Sequence, residues 1–234
     1  MENNRIKKIV SIVIYVLLIP IIVVYGYFIF KNKNYNLISL TICVIALIPF
    51  FLHFERNKTS ARELVIIGVL VGLSTVGRIV FGGIPGFKPI TAFVIIAGVA
   101  FGGEAGFIVG ALSAFLSNMF FGQGTWTPFQ MFTWGLIGFI SGFFKLKDTK
   151  FNLILLLIIG VLGGIAYSLL MDFYTTISVD HAFSFSRYLF FVSNSFLFMG
   201  IYAISNVVFL LILYYPLTSK LKRIKDKYLV FSFH

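Results

Sequence analysis

Charge is what this chain of 234 residues has least of. Asp, Glu, Lys and Arg together make up 12%, about half the share of an ordinary soluble domain. Hydrophobic residues make up 59%, and the mean hydropathy is +0.99. So little polar surface excludes a water-soluble globule. Cysteine is nearly absent. The lone Cys43 excludes an internal disulfide and leaves the redox compartment open; in its apolar run it reads as an inert small hydrophobe. No G-x-x-x-x-G-K-[ST] occurs. The nearest stretch, Gly82–Pro89 (GGIPGFKP), lacks the Lys-Ser/Thr pair that holds phosphate and magnesium, which excludes ATP hydrolysis by that route. His53, His181 and His234 are isolated, and H-E-x-x-H and C-x-x-C are both missing, so neither a metal site nor a cofactor is expected. No Ser/His/Asp set stands out.

What is present is a series of apolar runs. A spanning helix needs about 20 mostly apolar residues. The runs are Ile9–Phe30, Leu37–Phe54, Leu64–Phe81, Ala105–Phe121, Phe129–Phe144, Leu153–Ile177 and Leu189–Leu217, with a shorter one at Ile90–Phe101. Counting the short run as spanning gives an all-α integral membrane protein of eight helices. Both termini then fall in the cytoplasm of a multi-pass cell-membrane protein. The cytoplasmic segments hold Arg5, Lys7, Lys8; Arg56, Lys58, Arg62; Lys145, Lys147, Lys150; and Lys220, Lys222, Arg223, Lys225, Lys227, which is 14 of 19 basic residues. That positive-inside bias explains the net charge of +11 without nucleic acid. The basic tail, residues 220–234, can also meet anionic membrane lipid. The first run is too long for a signal h-region and is read as a retained helix, kinked at Pro20.

Glycine divides the chain: one, Gly26, lies before residue 60 and 20 lie after it. Helices that pack closely in lipid use small residues. The expected organisation is therefore an N-terminal transmembrane hairpin (residues 1–58), loosely attached through the linker ERNKTS, and a six-helix membrane domain (residues 59–219). No repeat between halves is visible. Three stripes of small residues fall at helical spacing: Ala61, Gly68, Gly72, Thr75; Gly106, Gly110, Ser113, Ser117; and Gly135, Gly138, Gly142. Each serves either internal packing or the docking of another membrane subunit. The first stripe opens the bundle and is the candidate docking face.

Polar residues within the membrane are costly and therefore informative. Glu104 falls at a cytoplasmic turn, where solvation accounts for it. Arg78 and Asp172 lie at similar depth near the outer ends of their helices, which allows an ion pair, either a clamp of the bundle or a ligand anchor. The segment Asn118–Trp134 (NMFFGQGTWTPFQMFTW) joins two helices on the outer side. It combines flexible glycines with Gln123, Trp126, Thr127 and Gln130, and contains both tryptophans, Trp126 and Trp134. Interfacial Trp can be a membrane anchor, but aromatics beside amides and hydroxyls also line small-molecule pockets. Arg187 and Asn194 enter the last helix from the same side. The candidate substrate-binding set is Arg78, Lys88, Gln123, Trp126, Thr127, Gln130, Asp172 and Asn194, under the loops 82–88 and 122–127.

Between Ala61 and about Tyr215 the chain resembles the substrate-binding S component of energy-coupling factor (ECF) vitamin transporters. The resemblance is carried by ARELVIIGVLVGLSTVGRIVFGGIPGFKP, TAFVIIAGVAFGGEAGFIVGALSAFLSN and FFGQGTWTPFQMFTWGLIGFISG. It implies a six-helix fold without its own ATPase, a vitamin site in the outer half capped by the first and third loops, and small residues on the first helix that dock to a transmembrane coupling subunit driven by two ATPase subunits. Gly68, Gly72 and Thr75 match that docking motif by position, with Gly where alanine is usual. The N-terminal hairpin departs from the minimal pattern. The QGTWTPFQ loop looks most like S components for cobalamin or a related corrinoid, with riboflavin or another vitamin as the alternative. Two further classes stay open: a membrane enzyme, which would have to use Arg78 and Asp172, and a scaffold or assembly protein.

Overall fold

The computed structural model describes residues 9–29, 41, 44, 45, 61–144, 150–228 and 230, and the regular structure among them is entirely helical. Cys43, His53, His234, the linker ERNKTS, Lys145 and Lys147 lie outside the described residues, as does most of the run Leu37–Phe54.

The first helix is α-helical over residues 9–12, passes through a π-helical segment, Val13–Leu18, and continues as α1 (Ile19–Ile29). The π turn ends two residues before Pro20, which has no N–H to complete the α ladder. Sequence leads one to expect a loosely attached hairpin. Instead Tyr15, Ile19 and Val23, spaced by four, form one wholly buried stripe. The Tyr15 ring stacks on Phe107 at 4.2 Å and tilts against Phe139 at 4.9 Å. Glu104 is not simply solvated either, since it accepts a hydrogen bond from the Ser11 hydroxyl.

Six helices follow: α2 (Ala61–Val80), α3 (Ile90–Phe101), α4 (Gly103–Phe121), α5 (Trp126–Ser141), α6 (Lys150–Asp180) and α7 (Phe185–Tyr228). In α2, Glu63 occupies the first turn and Arg78 the last, as the helix dipole favours. α3 is apolar around its whole circumference, and every residue from Ile90 to Gly98 is buried. At 12 residues it is about 18 Å long, well short of a hydrocarbon core of about 30 Å. By length and composition, four described helices can cross a membrane: Ala61–Val80, Gly103–Phe121, Leu153–Asp180 and Phe185–Tyr228. Among the described residues, α3 and α5, with 12 and 16 residues, fall short of that length, and most of the run Leu37–Phe54 lies outside them, so the eight helices expected from sequence are matched at four positions by this criterion. Outward faces are apolar, with Val80 70% and Phe196 73% exposed, as lipid-facing surfaces require.

Two glycine stripes are internal packing. A Cβ on Gly98 or Gly106 would collide with the Gly138 carbonyl oxygen, one on Gly142 with the Gly103 amide, and one on Gly110 would lie 2.5 Å from the Trp134 carbonyl carbon. The backbones of α3, α4 and α5 thus touch directly. Gly102, at φ +96°, makes the one-residue corner between α3 and α4, a conformation that disfavours any side chain. The remaining stripe differs: Gly68 and Gly72 are exposed, with nothing within 4 Å of an added Cβ. α6 and α7 pack as a hairpin. Its corner is held by an Arg187–Asp180 ion pair at 2.8 Å, and its middle by Asn206 Nδ2 donating to the Gly160 carbonyl at 2.9 Å.

Candidate functional site

At the end of the bundle where α2 gives way to α3, the helices leave a cavity of about 180 Å³. Its wall is assembled from Arg78 of α2, Gly86 and Lys88 of the following turn, Ile90 and Thr91 of α3, Gln130 and Trp134 of α5, Tyr167 of α6, and Tyr202 and Asn206 of α7. Two of these contributions are i, i+4 pairs, Gln130–Trp134 and Tyr202–Asn206, which bring their side chains onto one helix face. The turn is fixed by glycine and serine. Gly86 has φ +74°, and a Cβ there would press on Ile201. The Ser205 hydroxyl receives the Lys88 amide at 2.9 Å and lies 3.2 Å from the Lys88 carbonyl.

A polar network supports the wall. Arg78 is buried and donates from Nη1 to Ser117 Oγ at 2.5 Å and to Asn118 Oδ1 at 2.8 Å. Its Nη2 lies 3.5 Å from Gln130 Oε1. Asn118 Nδ2 donates to the same Gln130 oxygen at 2.8 Å and to Thr127 Oγ1 at 3.0 Å. Gln130 Nε2 donates to the Tyr167 hydroxyl, and Trp134 Nε1 to Thr91 Oγ1, both at 3.2 Å. Trp134 stacks on Tyr167 with centroids 4.7 Å apart, and Tyr167 meets Tyr202 edge-on at 5.1 Å. The Arg78 guanidinium sits 4.9 Å from the centre of the Trp134 ring, within cation–π range. The Lys88 ammonium sits 5.4 Å from the centre of Phe121. Burial, and after it the charge of Arg78, hold the Lys88 pKa below the usual lysine value.

Of the residues singled out from sequence, Arg78, Lys88 and Gln130 meet at this cavity. Thr127 is buried one shell away, accepting from Asn118 and from the Gly124 amide. Gln123 turns back to donate to the Phe115 carbonyl at 2.9 Å. Trp126 is 40% exposed, its ring against Gly124, and does not line the cavity. Asn194 is exposed and bonds to Phe190 of its own helix. The Arg78–Asp172 ion pair is not formed: Asp172 accepts from Ser195 at 2.5 Å instead. The reason is helix phase, since five residues along α6 turn Asp172 about 140° away from Tyr167. Sequence reasoning missed Thr91, Tyr167, Tyr202 and Asn206, and took Trp126 rather than Trp134 for the aromatic wall. The i, i+4 spacing of Gln130 and Trp134 was the available signal, as was an amide, Asn206, inside an apolar helix.

A helical bundle with apolar outer faces and a confined polar and aromatic cavity has the form of a membrane-embedded solute-binding subunit. Sequence comparison supplies the family: a model described as ECF-type riboflavin transporter, S component, matches residues 58–223, and the chain belongs to that family, one of transport subunits and not of enzymes. Curated relatives include a UPF0397 protein of Vibrio atlanticus (strain LGP32), 29% identical over 92 residues, and one of Aliivibrio fischeri (strain MJ11), 30% identical over 92 residues, each alignment covering 37% of this chain and 50% of the relative. A UPF0397 protein of Aliivibrio salmonicida is 29% identical over 96 residues, 39% of this chain and 52% of its own. The chain thus spans about half the length of the curated relatives it matches. No solved structure matches.

Proposed function

We propose that this chain is the substrate-capturing S subunit of an ECF importer, that α2–α7 form its six-helix binding domain with the N-terminal segment as an addition, and that the cavity takes a vitamin-sized ring compound. The observation that carries the reading is the convergence of Arg78, Gln130, Trp134 and Tyr167 on one cavity in a bundle with apolar outer faces, where polar groups are retained only against a cost. The positive-inside pattern puts that end outside, so ligand enters from the exterior. The stripe Gly68, Gly72, Thr75, of which the two glycines are exposed, is the face offered to a transmembrane coupling subunit, which two ATPase subunits would drive.

The family match is riboflavin-type and lends no support to a corrinoid. The cobalamin reading is therefore set aside in favour of a flat heteroaromatic vitamin, with riboflavin the first to test. Calorimetric titration of purified protein with riboflavin and cobalamin tests this. Saturable riboflavin binding without cobalamin binding supports the assignment; cobalamin binding alone refutes it.

A further inference from the structure

The cavity contains cations and no anion. Arg78 and Lys88 both line it, and among the described residues no Asp or Glu does. Asp172, the carboxylate that sequence places at this depth, is turned to Ser195. The described partners of the Arg78 guanidinium are neutral, namely Ser117, Asn118, Gln130 and the faces of Trp134 and Phe121, and its Nε–H is buried without an acceptor. The Lys88 ammonium meets the Phe121 face, with no hydrogen-bond acceptor among the described residues. Two cations confined together in a medium of low polarity repel each other and lack compensation.

Two of the acceptors on the wall are already engaged. Gln130 Oε1 is already taken by Asn118 and Arg78, and the Tyr167 oxygen already accepts from Gln130, so its own O–H remains to donate. Trp134 has given its N–H to Thr91. What the cavity offers an incoming molecule is the Arg78 guanidinium, the Lys88 ammonium, tyrosine hydroxyls, the Asn206 amide and a stacked aromatic wall.

Resting on the reading of this cavity as the ligand site, we propose that the ligand is a planar heteroaromatic anion, its ring against the Trp134–Tyr167 wall and its negatively charged oxygen group between Arg78 and Lys88. A charge-assisted hydrogen bond is stronger than a neutral one, so the site discriminates between ring compounds that differ only in charge.

The test uses full-length protein in detergent and two matched pairs at pH 7, nicotinate against nicotinamide and riboflavin 5′-phosphate against riboflavin, by calorimetry. In the pair whose ring fits, the anion should bind about tenfold or more tightly than its neutral partner. Lys88→Gln should remove most of that ratio and Lys88→Arg should keep it, with folding of both variants checked by gel filtration and thermal unfolding. A neutral partner that binds as well as the anion overturns the charge assignment and leaves the cavity as a ligand site. An anion preference untouched in Lys88→Gln overturns it as well. Failure of all four compounds to bind at millimolar concentration overturns the proposal together with the cavity assignment.

Discussion

Trp134 and Tyr167 lie face to face, ring centroids 4.7 Å apart and planes 23° from parallel, and this pair joins α5 to α6 at the back of the cavity. The guanidinium of Arg78 caps the Trp134 ring at 4.9 Å. Aromatic stacking is worth about 0.5–1.5 kcal/mol beyond burial, so the pair both holds the wall and presents it.

The first prediction separates the two tryptophans. Trp134→Ala would empty a core position at a cost of about 3–5 kcal/mol, so Trp134→Phe is the informative variant. It keeps a ring but loses the bond to Thr91. It should fold and bind ligand severalfold more weakly, whereas Trp126→Ala should leave affinity within about twofold, because its 40%-exposed ring lies outside the cavity. Titration of both variants checks this.

Glycines should divide by face. Gly138→Ala and Gly106→Ala place a methyl on each other's backbone carbonyl, and either should lower the thermal unfolding midpoint in detergent by several degrees. Gly68→Ala should leave it unchanged, since nothing lies within 4 Å of the added atom. Gly72→Leu should preserve ligand affinity yet reduce uptake by the assembled transporter. Loss of affinity in Gly72→Leu would mean the stripe packs internally.

The N-terminal helix should matter for stability and not for binding. Its Ser11 contacts Glu104 at the start of α4, while Arg78 contacts Ser117 and Asn118 near the end of α4, about 20 Å away along the helix. A chain starting at Lys58 uncovers Phe107 and Phe139, which Tyr15 covers. It should unfold at lower temperature and bind ligand with unchanged affinity. A truncated, folded protein that no longer binds would place the N-terminal segment in the site.

Lys88 gives the site a pH dependence. Burial and Arg78 lower its pKa, so the ammonium is lost on raising pH earlier than from an ordinary lysine, and affinity for an anionic ligand should fall between pH 7 and 10. The other ionisable groups lining the cavity with it are Arg78, Tyr167 and Tyr202. Lys88→Arg, which stays charged, should flatten the profile. An unchanged slope in that variant would assign the titration elsewhere.

How much of this was legible beforehand follows from what each signal encodes. Apolar runs encode helices: Ala105–Phe121 lies within α4, and Leu64–Phe81 runs one residue past the end of α2. They do not encode how much of the membrane a short apolar helix such as Ile90–Phe101 crosses, or that it is buried by neighbouring helices on all sides. Depth was legible for Arg78 and Gln130, each about one turn from a helix end. Rotational phase was not: Asn194 and Asp172 are at a plausible depth but turn away from the cavity. Glycine spacing marked tight contacts correctly at Gly106 and Gly138. It could not distinguish them from the open stripe at Gly68 and Gly72, because the same small residue serves both packing within a chain and contact between chains.

The most direct test of the cavity as the ligand site compares two amides of similar predicted depth and different phase. Gln130 lines the cavity and Asn194 does not. Ligand affinity of Gln130→Ala and Asn194→Ala should be measured by calorimetry beside wild type, with whichever compound of the matched pairs binds. Gln130→Ala should weaken binding by about tenfold or more, equivalent to about 1.4 kcal/mol, because it removes a cavity contact, takes from Asn118 one of its two acceptors and leaves the Tyr167 hydroxyl without its Gln130 donor. Asn194→Ala should bind as wild type does. Weakened binding in Asn194→Ala with normal binding in Gln130→Ala would contradict the assignment and move the site to the outer face of α7.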